Sequence, residues 1–252
     1  PVPFFLFSPQ NKLIHSAVTK ALQSGFERNW YILGDALRKF EEEYARFDQV
    51  SFCLGVGNGY DALSIALRAC SIGPGDEVIV PAHTYVATWL AISKTGAKIV
   101  PVEPNEMTFN IDVDEIEKLI TSRTKIVLPV HLYGQSCDMT RLEGIAKRHH
   151  LFIIEDNAQA HGATWNGKMT GSFGHVNATS FYPTKNLGAL GDGGAITTND
   201  EATARFVERY RNYGFESKNS CAEQGVNSRL DELQALVLSI KLKHLGDWNE
   251  QR

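Results

Sequence analysis

The chain has 252 residues, of which 43% are hydrophobic and 21% charged, and its formal net charge is −4. A chain of this length and composition can bury a sizeable core as one large domain. The small negative charge and the lack of runs of like charge argue against the broad basic surface that a nucleic-acid-binding protein uses.

The N-terminal segment PVPFFLFSP is apolar, but it has no cationic leader and is too short to span a bilayer. The four cysteines, at positions 53, 70, 137 and 221, are widely spaced and form no CxxC pair. This spacing favours reduced thiols over disulfides or a zinc site. We therefore expect a cytoplasmic protein that has neither a metal site nor a membrane segment.

Short β-branched runs alternate with segments of helical period, which is typical of an α/β sheet with crossover helices. The predicted helices are 9–24, 35–47, 60–71, 85–95, 112–121, 139–149, 200–212 and 229–245. The predicted strands are 51–56, 77–80, 97–102, 125–130, 151–155, 178–182 and 194–198. Several strands are apolar throughout, as expected for strands covered on both faces. The last helix carries an apolar stripe, which predicts a partner surface in a further C-terminal domain or a second subunit.

Open α/β sheets bind ligands beyond the carboxyl ends of their strands, and four segments of the chain lie at such ends. The first is GVGNGYDALSIAL, residues 55–67. Its glycines allow close approach of a ligand, and the N–H groups that open the next helix suit a phosphate. A dinucleotide fingerprint is excluded because GxGxxG fails at Tyr60, and no GKS or GKT follows for a P-loop. The alternative is a plain turn capped by Asn58 or Asp61.

The next two segments are PAHTYVAT and IIEDNAQAHGA. Tyr85 opens a predicted helix and is suited to cover one face of a flat ring, although packing in the core is the commoner role of an aromatic residue. Asp156 follows an apolar strand directly, so its carboxylate is held at the strand tip, where a pyridinium nitrogen would need a counter-charge. A turn or capping role is the alternative for Asp156. His161 nearby lacks the paired spacing of a metal site.

The fourth segment, SFYPTKNLGALGDGGA, places Lys185 in a glycine-rich loop just after a strand. A lysine is usually a solvated surface residue, but a partly desolvated amine has a lowered pKa and forms Schiff bases with carbonyl groups. Ser180 in the same segment offers a hydroxyl to a phosphate. The four segments together supply a phosphate cradle, an aromatic face, an anion for a ring nitrogen and an imine-forming lysine. These groups are what pyridoxal 5'-phosphate (PLP) requires.

Seven segments of the chain resemble the DegT/DnrJ/EryC1/StrS family of sugar aminotransferases, and the resemblance covers essentially the whole sequence: VGNGYDAL, PAHTYVAT, IEDNAQAHGA, GSFG, SFYPTKNLGALGDGGAITTND, RNYG and GVNSRLDELQA. It implies fold type I of the PLP-dependent transferases, an α/β fold with a mostly parallel, mixed, seven-stranded sheet and helices on both faces. It also implies that residues 1–252 form the PLP-binding large domain, with the connecting helix starting near 228–252. Relatives continue for roughly another domain's length, so a C-terminal small domain is expected to be missing from this chain.

The resemblance also assigns roles to single residues. Lys185 is expected to form the imine with the cofactor and then to move a proton between the cofactor's C4' carbon and the sugar carbon. Asp156 is expected to pair with the pyridine nitrogen, Gln159 to contact the ring or its 3'-oxygen, and Tyr85 to stack on the ring. The implied phosphate contacts are the backbone amides of Gly59, Tyr60 and Asp61, the hydroxyl of Ser180 and, from the neighbouring subunit, Asn227. A homodimer with shared active sites follows from the last contact. Tyr60 departs from the threonine of many relatives, which shifts its phosphate contact from a hydroxyl to the backbone.

The implied reaction moves an amino group from an amino acid, usually glutamate, to a nucleotide-linked keto sugar. The run NLGALGDGGA after Lys185 is similar to members that aminate carbon 3 of a dTDP-3-keto-6-deoxyhexose and so make deoxyamino sugars. Three alternatives share the fold: an aminotransferase acting on carbon 4, a sugar dehydratase and a non-catalytic regulator. Dehydratases of this family replace the lysine with histidine, so Lys185 favours the aminotransferase.

Overall fold

The computed structural model describes residues 6–252; residues 1–5, which hold much of the apolar N-terminal segment, lie outside the described range. The helices are α1 (Ser8–Arg28), α2 (Asp35–Asp48), α3 (Gly59–Ala69), α4 (Val86–Thr95), α5 (Val113–Leu119), α6 (Met139–His149), α7 (Glu201–Tyr210), α8 (Glu232–Leu242) and α9 (Leu245–Glu250). The strands of the main sheet are β1 (Phe52–Val56), β2 (Glu77–Pro81), β3 (Lys98–Val102), β4 (Thr124–Val127), β5 (Phe152–Asp156), β8 (Val176–Ser180) and β9 (Gly194–Thr198). Two short hairpins lie outside the sheet, β6 (Thr164–Trp165) with β7 (Lys168–Met169), and β10 (Phe215–Ser217) with β11 (Ser220–Cys221).

The main sheet has seven strands in the order β1-β9-β8-β5-β4-β2-β3. Strand β9 is antiparallel to both of its neighbours, and the other pairings in this sheet are parallel. All strands except β9 therefore end at the same edge of the sheet, beyond which such sheets bind their ligands. The predicted mostly parallel, mixed, seven-stranded sheet is confirmed.

The apolar residues of the strands divide between the two faces of the sheet, because successive side chains point to opposite sides. In β2, Val78 and Val80 pack with α3 and α4, whereas Ile79 between them packs with α5 and α6. In β1, Leu54 packs on the first of these faces and Cys53 joins α2 and α8 on the other. Helices thus cover both faces, which explains why the central strands are apolar throughout.

The elements agree with the predicted order, and their bounds differ from the predicted ones by up to four residues, as at the end of α1, which continues to Arg28. The strand predicted at 178–182 runs instead from Val176 to Ser180, because it pairs with β5 on one side and ends where Ser180 pairs with Gly194 of β9. The last predicted helix, 229–245, starts only at Glu232 and is followed by the separate helix α9. Its start is delayed because the chain from 227 to 228 still pairs with the 211–212 segment. Within residues 6–252, no helix is both long and apolar enough to cross a bilayer.

Candidate active site

Four chain segments meet at the carboxyl edge of the sheet and enclose a cavity of about 530 Å³. They are the start of α3, the start of α4, the end of β5 and the loop after β8. The strands before them are parallel to one another, which is why segments far apart in sequence meet at one edge. Seven of the nine predicted site residues line this cavity: Gly59, Tyr60, Tyr85, Asp156, Gln159, Ser180 and Lys185.

Asp156 is the last residue of β5 and is only 5% exposed. Its Oδ2 accepts a hydrogen bond from the Thr88 hydroxyl at 2.9 Å, and its Oδ1 accepts one from the Ala158 N–H at 3.1 Å. Burial raises the pKa of Asp156, while these two hydrogen bonds and the charge of Lys185 act against the rise. The carboxyl group therefore holds a proton more readily than an ordinary aspartate, which suits it to share one with a basic ligand atom.

Lys185 lies five residues after β8, in a turn closed by its N–H, which donates to the Tyr182 carbonyl at 2.8 Å. Its side chain is half-buried at the cavity wall. Burial lowers the pKa of its amine, and the carboxylate of Asp156 acts in the opposite direction. A lowered pKa leaves more of the amine unprotonated at neutral pH, and the unprotonated amine is the form that attacks a carbonyl carbon.

The first turn of α3 forms another wall of the cavity. Asn58 caps this helix, because its Oδ1 accepts the N–H of Asp61 at 2.8 Å. Gly59 lies directly against Ser180, where an added Cβ would stand 2.6 Å from the Ser180 Cβ. The first-turn N–H groups of a helix have no acceptor within the helix and carry the positive end of its dipole. This wall therefore suits an anion such as a phosphate group.

Tyr85 and Gln159 add an aromatic ring and a carboxamide to the walls of the cavity. Tyr85 stands at the N-cap position of α4 and is 69% exposed, so its ring is not part of the core. The Oε1 atom of Gln159 accepts the N–H of Tyr133 at 2.7 Å. Tyr133 has a left-handed φ of 57°, which is uncommon for a residue with a side chain. Gln159 thus also stabilises an unusual backbone conformation beside the cavity.

Asp61 and Asn227 do not line this cavity, and both line a neighbouring one of about 560 Å³. The N–H of Asp61 donates to Asn58, and its Oδ2 accepts from the Ser228 hydroxyl at 2.7 Å. Asn227 is exposed, and its Nδ2 donates to the Tyr213 hydroxyl at 2.7 Å. The backbone contact predicted for Asp61 therefore competes with the helix cap, whereas Asn227 lies outside the cavity of its own chain.

Sequence reasoning misses the threonines that hold Asp156. Thr88 is fully buried, and its hydroxyl lies 2.9 Å from that of Thr84. Since the Thr88 hydroxyl donates to Asp156, it accepts the proton of the Thr84 hydroxyl. The only sequence signal is the spacing of four residues in TYVAT, which places both hydroxyls on one side of the start of α4.

A buried pair behind Asp156, formed by Glu155 and His131, was likewise not predicted. His131 Nε2 lies 2.8 Å from Glu155 Oε2, and both side chains are fully buried. His131 Nδ1 accepts the Cys137 N–H at 3.1 Å, so the ring proton is on Nε2 and donates to Glu155. Glu155 also accepts backbone N–H groups of the 171–174 loop. Glu155 points to the sheet face opposite that of Asp156, because neighbouring side chains of a strand alternate. The hydrogen bonds of Glu155 therefore hold the end of β5 from the other face.

One cavity therefore combines a buried carboxyl group, a half-buried lysine with a lowered pKa, an exposed aromatic ring and a helix N-terminus. Pyridoxal 5'-phosphate needs each of these for its ring nitrogen, its carbonyl group, its ring face and its phosphate, so the residues fit this cofactor. Among residues 6–252, no group of three or more His, Cys, Asp or Glu side chains is arranged to hold a metal ion. The fold and the cavity define the class of PLP-dependent transferases.

Comparison with known proteins identifies the family. The DegT/DnrJ/EryC1/StrS aminotransferase family model matches residues 11–252, and the chain belongs to this family. Other solved structures of the same fold contain the cofactor as pyridoxamine phosphate or pyridoxal phosphate. The resemblance found in the sequence is confirmed.

Two curated relatives and one solved structure are closely similar to the chain. The dTDP-3-amino-3,4,6-trideoxy-alpha-D-glucose transaminase of Streptomyces venezuelae is 52% identical over 94% of this chain and 62% of its own. The dTDP-3-amino-3,6-dideoxy-alpha-D-galactopyranose transaminase of Aneurinibacillus thermoaerophilus is 53% identical over 100% of this chain and 69% of its own. The crystal structure of S. venezuelae DesV in complex with a ketimine intermediate has a TM-score of 0.97 at 49% identity and covers 99% of this chain and 67% of its own. The chain thus spans 62 to 69% of the length of these proteins.

Proposed function

We propose that the protein is a PLP-dependent aminotransferase that moves an amino group from glutamate to carbon 3 of a dTDP-3-keto-6-deoxyhexose. The observation that carries the proposal is that Lys185 and Asp156 line one cavity and act on each other's pKa. An amine and a buried carboxyl group facing one space are what imine formation and ring protonation require. The sugar class and the position aminated are supported by the two relatives, both transaminases of dTDP-3-amino sugars.

The proposed cofactor contacts follow the walls of the cavity. The first turn of α3, at Gly59 and Tyr60, would hold the phosphate together with the Ser180 hydroxyl. The backbone N–H of Asp61 would join them by exchanging its hydrogen bond to Asn58 for one to the phosphate. Tyr85 would cover one ring face, and Gln159 would contact the ring or its 3'-oxygen. When bound, pyridoxal phosphate supplies an electron-withdrawing ring that accepts the electron pair of the C–H bond being broken.

The protein side chains would handle the protons of this reaction. The Lys185 amine, held at the cavity wall with a lowered pKa, would take the proton from one carbon and return it to the other as a general base and then a general acid. The Asp156 carboxyl group would keep a proton on the ring nitrogen. As a carboxylate it would give the protonated nitrogen a buried counter-charge, and pairing with that cation would offset the burial that raises the pKa of Asp156.

The proposal extends to the assembly and the place of action. The side chain of Asn227 is exposed and does not line the cavity of its own chain, which supports a homodimer in which this residue contacts the phosphate bound by the neighbouring subunit. We place the protein in the cytoplasm, where nucleotide sugars and glutamate are available. Residues 1–252 would form the large domain, with a small domain following the helices α8 and α9.

Attachment of the cofactor tests the central claim. The protein is incubated with pyridoxal phosphate, reduced with borohydride and digested, and the modified peptide is identified by mass spectrometry. We expect the mass increment on Lys185. The Lys185→Ala variant should lose it, whereas Lys12→Ala, which removes an exposed lysine of α1, should keep it. Attachment at other lysines with Lys185 unmodified would contradict the proposal.

A product assay tests the reaction and the sugar. Glutamate is supplied with dTDP-3-keto and dTDP-4-keto hexoses, and 2-oxoglutarate and the amino sugar are measured by chromatography and NMR. We expect glutamate-dependent amination at carbon 3. Amination at carbon 4, loss of water without consumption of glutamate, or bound cofactor without either half-reaction would replace the proposal with the corresponding alternative.

A further inference from the structure

The loop that carries Lys185 is hydrogen-bonded to helix α9 through the side chain of Asn249. Asn186, the neighbour of Lys185, donates from Nδ2 to Asn249 Oδ1 at 2.8 Å. Asn249 donates from its own Nδ2 to the carbonyl oxygen of His161 at 2.7 Å. Asn249 thus joins the lysine loop to the turn that follows Asp156, two segments that are distant in sequence.

The hydrogen bonds around Asn249 have a consistent direction. Arg252 Nη1 donates to Asn186 Oδ1 at 2.8 Å, so each carboxamide of the chain from Arg252 to His161 uses its oxygen as acceptor and its nitrogen as donor. The orientation of both carboxamides is therefore fixed by their partners. Asn186 and Asn249 are half-buried, which limits competition from water.

The backbone beside Asn249 is shaped to admit it. Gly162 has a φ of 85°, a conformation that favours glycine. A Cβ at this position would stand 2.8 Å from Asn249 Nδ2. Glycine is therefore needed here both for the turn and for the close contact, and the carbonyl of His161 is presented to Asn249 as a result.

The Asn249 bridge differs from the other attachments of the same loop. Lys241 Nζ donates to the Gly188 carbonyl at 2.5 Å, and Gln234 Oε1 accepts the Leu190 N–H at 2.8 Å. These two contacts hold the far half of the loop, beyond the lysine. The bond from Asn186 to Asn249 acts at the residue adjacent to Lys185, and its second half reaches the wall that carries Asp156.

We propose that Asn249 is a positioning residue for the aminotransfer reaction, which holds the Lys185 loop at a set distance from the Asp156 wall by binding Asn186 and the His161 carbonyl at once. The inference rests on the proposed function of Lys185. Proton transfer by a positioned group depends steeply on geometry, and a misplacement of about 1 Å costs about a hundredfold in rate. Asn249 can therefore change the rate although it does not line the cavity.

The test compares Asn249→Ala with Glu250→Ala, which removes an exposed side chain from the same helix. Two quantities are measured per folded molecule: the rate at which pyridoxal phosphate becomes attached to Lys185, by timed borohydride reduction and peptide mass spectrometry, and kcat and KM for glutamate. We expect Asn249→Ala to lower the attachment rate and kcat about tenfold, with KM within about twofold of that of the unaltered protein. Glu250→Ala should match the unaltered protein.

A double variant separates positioning from general destabilisation. Asn186→Ala should reproduce the loss of Asn249→Ala, and the two together should cost little more, because each removes the bond between residues 186 and 249, without which the bond from Asn249 to the His161 carbonyl no longer reaches the lysine loop. Gln234→Ala breaks a different contact, so its effect should multiply with that of Asn249→Ala. Asn186→Ala also serves as the test if Asn249→Ala fails to fold.

The possible outcomes distinguish the inference from the function on which it rests. Equal attachment rates and kcat per folded molecule in the Asn249→Ala, Asn186→Ala and unaltered proteins would overturn the inference and leave the proposed function intact. Absence of attachment at Lys185 in the unaltered protein would overturn both.

Discussion

Two buried carboxyl groups lie at opposite edges of the same sheet, and their surroundings differ. Glu77 opens β2 at the amino edge and is 1% exposed; Asp156 ends β5 at the carboxyl edge and is 5% exposed. Glu77 accepts hydrogen bonds from Thr121 at 2.6 Å, Arg123 at 2.8 Å and Lys98 at 3.2 Å. The hydrogen bond from the Thr121 hydroxyl is the largest cause of the low pKa of Glu77, about 2, and the cations of Lys98 and Arg123 lower it further.

Asp156 has two neutral donors and no ion pair within hydrogen-bonding distance among residues 6–252. Its pKa is raised by burial, the opposite of the shift at Glu77. Under the proposed function, one fold uses the same chemical group for two purposes. A carboxylate surrounded by donors stabilises the fold, whereas one left short of donors retains proton affinity for a ligand.

The largest expected effect comes from Asp156→Asn. An amide cannot keep a proton on a ring nitrogen, so we expect kcat of the proposed glutamate half-reaction to fall by about 10²–10³-fold, the usual cost of removing one preorganised electrostatic contact. The unfolding temperature of the protein without cofactor should stay level or rise, because the variant no longer buries an ionisable group whose charged form is disfavoured.

The sign of the Asp156 effect on stability depends on pH. A raised folded pKa means that the stabilising protonated form is present at low pH and is lost as pH rises from the ordinary value of 3.8 through the raised one. Asp156→Asn should therefore gain on the unaltered protein as pH rises. If the variant instead lost stability at neutral pH, the charged form of Asp156 would stabilise the fold as that of Glu77 does.

An intermediate effect is expected from Thr88→Val, which keeps the shape of the side chain and removes the donor to Asp156 Oδ2. Loss of this bond leaves a buried carboxyl oxygen unpaired, at a cost of about 1–3 kcal/mol in the free energy of unfolding, measured by urea denaturation. Thr84→Val is the matched control, because it leaves the bond from Thr88 to Asp156 in place and should cost less. Equal losses in both variants would show that the hydroxyl pair, rather than the contact with Asp156, stabilises this wall.

The sequence was sufficient for the sheet and for the residues at its carboxyl edge. Periodicity located the strands to within a few residues, and parallel strands place their carboxyl ends together, so Lys185 and Asp156 were expected to meet. The hydrogen bonds between segments distant in sequence were not predictable. Thr88 reaches Asp156 across 68 residues and Asn186 reaches Asn249 across 63, and neither residue type distinguishes such a bond from an ordinary capping or surface role.

The smallest expected effect comes from Glu77→Gln, which tests the carboxylate at the amino edge of the sheet. The variant keeps an acceptor but loses the charge, so we expect a loss of about 1 kcal/mol in the free energy of unfolding at pH 7 and unchanged attachment of cofactor at Lys185.

Because the folded pKa of about 2 lies below the ordinary 4.5, the stabilisation by ionised Glu77 is fully present above pH 4.5 and is lost as pH falls towards 2. The difference between Glu77→Gln and the unaltered protein should therefore shrink over this range in denaturant titrations. Glu115→Gln, which breaks the exposed pair with Lys118, should cost less than Glu77→Gln at pH 7. If the Glu77→Gln deficit instead stayed constant from pH 7 to pH 2, hydrogen-bond geometry rather than charge would account for the stability of the amino edge, and the contrast with Asp156 would no longer be electrostatic.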